Sequence, residues 1–136
     1  MTSLRIGGHG DQVDPIAEAA ARGATAAQFF LGDPQAWKGP QVAYAGGAEG
    51  LRQAASDAGI ALYVHAPYVL NVATTNNRIR IPSRKILQQH MDAAASIGAA
   101  ALIVHGGHVG ADDESFFRCV FGRGERSTPL ALRAPD

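Results

Sequence analysis

Apolar positions along the chain fall into four short runs, each ending on Gly, His or Pro: "LRIGGH" (4–9), "ATAAQFFL" (24–31), "IALYVHAP" (60–67) and "AALIVHGG" (100–107). The last three are nearly continuous rather than alternating, as expected of parallel strands covered on both faces. Between the runs the spacing turns helical. Asp14 and Pro15 supply an N-cap and a first helical residue before "IAEAAARG", which Gly23 closes. "AEGLRQAASDAG" predicts a second helix, stopped at Gly59. "PSRKILQQHMDAAASIG" predicts a third, which starts at Pro82, carries Ile86, Leu87, Met91, Ala94 and Ile97 as its apolar stripe, and ends at Gly98. The predicted order is βαβαβαβ.

Strand starts near residues 24, 60 and 100 recur every ~35 to 40 residues, close to the unit of about 31 in a (β/α)8 barrel of ~250 residues. The fold expected is therefore α/β, a partial (β/α)8 barrel of about four βα units. An open doubly wound sheet also alternates strand and helix, but its usual G-x-G-x-x-G does not follow the first strand. After Glu114 the pattern is lost: "SFFRCVFGRGERSTPLALRAPD" is rich in Arg, Gly and Pro and has neither period. Residues 1–114 are expected to form the half-barrel and 115–136 an irregular, poorly ordered tail. The change suggests truncation, or a reading frame that shifts near residue 114.

Composition narrows the function classes. A chain of 136 residues that is 46% hydrophobic and 18% charged is globular, and no apolar run approaches the ~20 residues a membrane helix needs. "MTSLRIGGHG" lacks the basic, then continuously apolar, start of a signal peptide, so a cytoplasmic protein is expected. The lone Cys119 can form no internal disulfide. Twelve Lys and Arg balance 12 Asp and Glu, so the net charge gives no sign of a polyanionic partner, and such a partner would need a local patch.

The candidate chemistry is at the strand ends. His9, His65 and His105 each fall at the carboxyl end of a predicted strand, the edge at which parallel α/β folds build their sites. On neighbouring strands roughly 4.8 Å apart, His65 and His105 can face one another over a metal ion, and neutral imidazole is a common zinc ligand. A plainer alternative is that each simply bonds a backbone carbonyl. His108, in the glycine-bearing loop after His105, could be a ligand, a pocket contact to substrate, or neither; His90, on a helix face, reads as structural. Tyr68 and Trp37 on the third and second βα loops could stack on bases or sugars, or cap the core, and Gln35 and Asn71 on the same loops could bond a phosphate or a base edge. Arg78, Arg80, Arg84 and Lys85 crowd the start of the third helix, as a phosphate-facing strip or as a solvated face.

"LRIGGHG", "FFLGDPQAW", "YVHAPYVLN" and "LIVHGGHVG", in this order and at these spacings, resemble the first four βα units of the endonuclease IV family, over residues 4–114 or thereabouts. The resemblance implies the N-terminal half of a xylose isomerase-like TIM barrel. It implies a zinc-dependent apurinic/apyrimidinic endonuclease of DNA base-excision repair, which hydrolyses the phosphodiester 5′ to abasic sites in double-stranded DNA. It implies that His65 and His105 are ligands of the family's three-zinc cluster, that Tyr68 enters the DNA stack, that Gln35 holds the place of a side chain that probes the duplex, and that His9 belongs to the pocket. The other ligands of the family lie on strands five to eight, so this chain is expected to be inactive alone and to self-associate through open sheet edges. A sugar isomerase or epimerase of the related barrels, and a non-catalytic binding domain, are the alternatives; the loop "HAPYVLN" favours the nuclease.

Overall fold

A computed structural model describes residues 4–109 and, as backbone, residues 130–133. In chain order the elements are β1 (Gly7–His9), α1 (Pro15–Ala21), β2 (Ala26–Phe30), α2 (Gly47–Ala58), β3 (Ala61–His65), α3 (Asn77–Ser96), β4 (Ala101–Val104) and β5 (Leu130–Arg133). The strands lie in the order β1-β2-β3-β4-β5, the first four parallel, with β5 antiparallel to β4.

That order distinguishes the two architectures left open by the sequence. A parallel crossover is almost always right-handed, so four strands laid down in sequential order carry their connecting helices on one face. A doubly wound sheet reverses direction and has helices on both. Here one set of alternate residues, Ala27, Phe29, Leu62, Val64, Leu102 and Val104, packs with Leu51 and Ala55 of α2 and Ile86 and Ala94 of α3 in a single core. The other set, Gln28, Phe30, Tyr63, Ile103, is only half-buried. Burial therefore alternates along β2 and β4, and the expectation of strands covered on both faces is corrected. The second face is the concave one, and no helix packs on it among the described residues.

Local signals place the helix ends. The Asp14 side chain accepts from the Ala17 N–H at 3.0 Å to cap α1, and Gly59 ends α2 at φ 66, a conformation that other residues resist. α3 begins five residues before Pro82. The Asn76 side chain accepts from the Arg78 N–H at 3.0 Å, and this cap opens the helix upstream, leaving Pro82 inside it. Arg78, Arg80, Arg84 and Lys85 consequently all lie on α3. At 100° per residue Arg78 and Lys85 share one flank and Arg80 and Arg84 another, so they do not form one strip.

The tail expectation concerns residues mostly outside the described ones. The part that is described, Leu130–Arg133, is a strand on β4, with Leu102 opposite Leu132. The edge of β4 is thus covered, whereas the edge of β1 is bare among the described residues, with Leu4 81% and Ile6 65% exposed beside it. No helix among the described residues is long and apolar enough to cross a membrane.

His90 is 1% exposed on the inward face of α3, and its Nδ1–H donates to the Ile86 carbonyl at 3.0 Å. Burial lowers its pKa below the usual imidazole value, against a smaller raising effect of the Ile86 bond. Folded protein therefore binds a proton here less readily than unfolded chain. The contribution of His90 is complete above the unfolded value of about 6.5 and is lost as pH falls below it. Urea midpoints should decline from pH 7 to pH 5, and His90→Gln should remove part of that decline; an unchanged pH slope in the variant would show that His90 is not the titrating group.

Candidate active site

Parallel pairing fixes the strand ends in register: His9 lies opposite Gln28, Phe30 opposite His65, and His65 opposite Ile103. His65 and Phe30 therefore share the concave face, and His105, two residues beyond Ile103, returns to it. The outcome is a cluster of rings. His65 and His105 have centroids 5.0 Å apart, and His9 is 6.4 Å from His65. Phe30 is the hub, at 4.7 Å from His9, 5.0 Å from His65 and 5.3 Å from Tyr68. Tyr68 completes it at 5.3 Å from His65 and 5.9 Å from His105. The structure brings His65 and His105 side by side and sets His9 next to His65.

Their hydrogen bonds give them different chemistry. His65 Nδ1 lies 2.7 Å from the Ala66 carbonyl; a carbonyl only accepts, so Nδ1 carries the proton and the Nε2 lone pair remains available. A histidine held in this way has the tautomer a metal ligand needs. Burial lowers its pKa, the Ala66 bond opposes that, and the neighbouring His105 and His9 lower it further. His65 thus remains a neutral base where a free imidazole would begin to protonate. His9 is the reverse case. Its Nδ1 accepts from the Gln28 side-chain amide at 2.9 Å, which leaves the proton on Nε2 and makes His9 a donor toward an anion rather than a metal ligand. It is exposed, as is His105, whereas His65 is buried.

The loops are tied to one another. The Tyr68 N–H donates to the Pro34 carbonyl at 2.8 Å, and the Gly32 N–H to Gln12 Oε1 at 2.7 Å. Tyr68 is 57% exposed and Trp37 47%, and Gln35, next to Pro34, is exposed with its N–H on Asp33 Oδ1 at 2.8 Å. These three side chains stand at the rim, open to a partner. Asn71 does not: it is buried, and its side-chain amide is committed to Ala73, Thr74 and His108. In the structure the amide is an internal brace, where the sequence offered a phosphate or a base edge as its partner. His108 is exposed, with its carbonyl on that brace.

Gln28, Phe30 and Gln12 were not anticipated from the sequence, although the first two had a readable signal. Gln28 is polar inside an apolar run and shares its strand parity with Phe30, which marks a face that is not core. Gln12 carries no such mark, because its partner is 20 residues away.

As ligands, His65 and His105 fit two positions around a zinc ion: one is pre-set in tautomer and both are on the same face. Among the described residues no group of three or more His, Cys, Asp or Glu could hold a metal ion, so a metal bound by His65 and His105 would need ligands beyond them.

Comparison with known proteins gives the context. The family described as "Xylose isomerase-like TIM barrel" matches residues 16–125. "Probable endonuclease 4" of Mycobacterium ulcerans (strain Agy99) is 55% identical over 118 residues, which covers 85% of this chain and 44% of the relative. The protein of the same name from Mycobacterium tuberculosis (strain ATCC 25177 / H37Ra) is 53% identical over 134 residues, covering 95% and 51% respectively. The crystal structure of endonuclease IV from Thermus thermophilus superposes with a TM-score of 0.70 at 23% identity, over 85% of this chain and 47% of that one, a likeness of fold. The chain spans about half the length of the curated relatives it matches.

Proposed function

The chain belongs to the xylose isomerase-like TIM barrel family, and within it we propose the N-terminal half of a zinc-dependent apurinic/apyrimidinic endonuclease that acts on DNA in base-excision repair. The observation that carries this reading is the His65–His105 pair, 5.0 Å apart on the concave face, with Nε2 of His65 left free by the Ala66 carbonyl. The names of the relatives support it. The two imidazoles would hold zinc, which supplies a hydroxide at neutral pH and charge neutralisation at a phosphodiester. His9, with its proton on Nε2, would donate to a phosphate oxygen of the bound strand. Tyr68 would lie in the space left by the missing base, with Trp37 and Gln35 against the adjoining backbone.

Two imidazoles do not complete a zinc shell, and we place the remaining ligands in the half of the relatives' length that this chain does not span. The chain by itself is then a binding module without cleavage activity, and the bare β1 edge is the side on which further strands or a second copy would add. The exposed Tyr68 and Trp37 at the rim favour a nucleic acid over the small sugar of an isomerase, which a closed pocket would surround.

The test is fluorescence anisotropy with a duplex bearing a tetrahydrofuran abasic analogue, against the same duplex intact. Tighter binding to the abasic duplex is expected. Stacking of one aromatic is worth about 1–3 kcal/mol, so Tyr68→Ala should erase most of the preference while leaving the intact duplex nearly unaffected. Equal affinity for the two duplexes in the wild type would overturn the reading.

A further inference from the structure

The loop that carries His105 has two glycines between two histidines, "HGGH", and Gly107 has φ 81. Such a segment has little intrinsic reason to keep one shape. Asn71, on the β3–α3 loop, supplies one. Its Oδ1 accepts from the N–H groups of Ala73 at 3.1 Å and Thr74 at 3.2 Å, so the orientation of the amide is fixed, since the NH2 group could not replace the oxygen opposite two donors. Nδ2 is thereby turned to the His108 carbonyl, to which it donates at 2.9 Å. The Asn71 backbone N–H donates to Ser83 Oγ at 3.0 Å, and Ser83 is fully buried on α3. Gly107 passes so close that a Cβ on it would run into Asn71 Oδ1.

We propose that Asn71 is a positioning residue, which anchors the 105–109 loop to α3 through Ser83 and so keeps His105 in place against His65. This rests on the reading of His65 and His105 as the metal pair. Outer hydrogen bonds of this kind typically set metal affinity by 10- to 100-fold when removed. An exposed loop held only by backbone torsions would let His105 swing away from a partner that is itself fixed by Ala66.

Asn71→Asp removes the donor that faces both the His108 carbonyl and, at 3.4 Å, its ring Nδ1. A carboxylate still accepts from Ala73 and Thr74, so its own loop is retained, but it presents an oxygen to the His108 carbonyl where a donor stood. Asn71→Ala removes every side-chain bond, and Asp is the informative variant should Ala fail to fold. The full chain is examined in two ways: backbone order of Gly106, Gly107 and His108 from their 15N heteronuclear NOEs without metal, and zinc titration by calorimetry. For Asn71→Asp we expect lower NOEs at those three residues, a thermal midpoint within a few degrees of wild type, and zinc binding about tenfold weaker. Unchanged NOEs overturn the anchor itself. Lower NOEs with unchanged zinc affinity overturn its positioning role. A wild type that binds no zinc removes the parent reading, and with it the positioning role of Asn71, while the NOE measurement still shows whether the loop is anchored.

Discussion

His65→Ala and His105→Ala should each take zinc binding below detection in a calorimetric titration, while His9→Ala should leave it measurable. Two neutral imidazoles already make a poorer site than the closed four-ligand shell of structural zinc, and removal of either leaves a single imidazole. His9 belongs to the same ring cluster, 6.4 Å from His65, yet the Gln28 amide occupies its Nδ1 and leaves a proton on Nε2. Proximity would predict three equivalent histidines; hydrogen bonding predicts two ligands and a donor. Acid should weaken binding, because protons compete with the metal for the same lone pairs. His65, with its pKa lowered first by burial, should yield to that competition at lower pH than an unperturbed imidazole. Equal zinc affinity in wild type and both variants would show that the strand-end histidines are structural. Loss in His9→Ala on a par with the other two would show instead that the Gln28 bond does not set the tautomer.

The elements of this fold were legible in the sequence to the extent that their causes are local. Asp14 before Pro15, and Gly59 after "ASDA", state where helices begin and end because a cap needs only its immediate neighbours. The start of α3 was misplaced for the same reason: proline is the louder signal, but the carboxamide of Asn76 was already available to the first turn. Which face of the sheet is covered is a non-local matter. In "ATAAQFFL" Gln28 is a single polar mark on the face of Phe30, and the sequential strand order, with its one-sided crossovers, is what assigns Phe29 to the core and Phe30 to the site. β5 depends on pairing with β4 across a gap of more than twenty residues, and a strand of 4 residues carries no period to announce it. The histidines were legible because they interrupt apolar runs at their ends. What each can do was not, since the Ala66 carbonyl and the Gln28 amide act through geometry that spacing does not encode.

Adjacent residues on β2 provide the sharpest test of that division between faces. Phe29 is fully buried on a central strand, paired in register with Val64 and packed in the core shared by Leu51, Leu62 and Leu102. Phe29→Ala should cost about 3–5 kcal/mol, the lost transfer energy of the ring plus a cavity that this sheet, held on both sides by neighbouring strands, cannot collapse to fill. Since domains of this size have only about 5–15 kcal/mol in total, the thermal midpoint followed by circular dichroism should fall by on the order of 10–20 °C, and the protein should become partly unfolded at mild denaturant. Phe30 is half-buried and touches His9, His65 and Tyr68 rather than helices. Phe30→Ala opens onto solvent, leaves no enclosed cavity, and should shift the melt by only a few degrees. Its effect should fall on the rings it separates, as weaker zinc binding and altered His9 and His65 imidazole resonances. If Phe30→Ala destabilises the fold as much as Phe29→Ala, the concave face is a second core rather than the floor of a site, and the one-sided architecture inferred from strand order does not hold in solution.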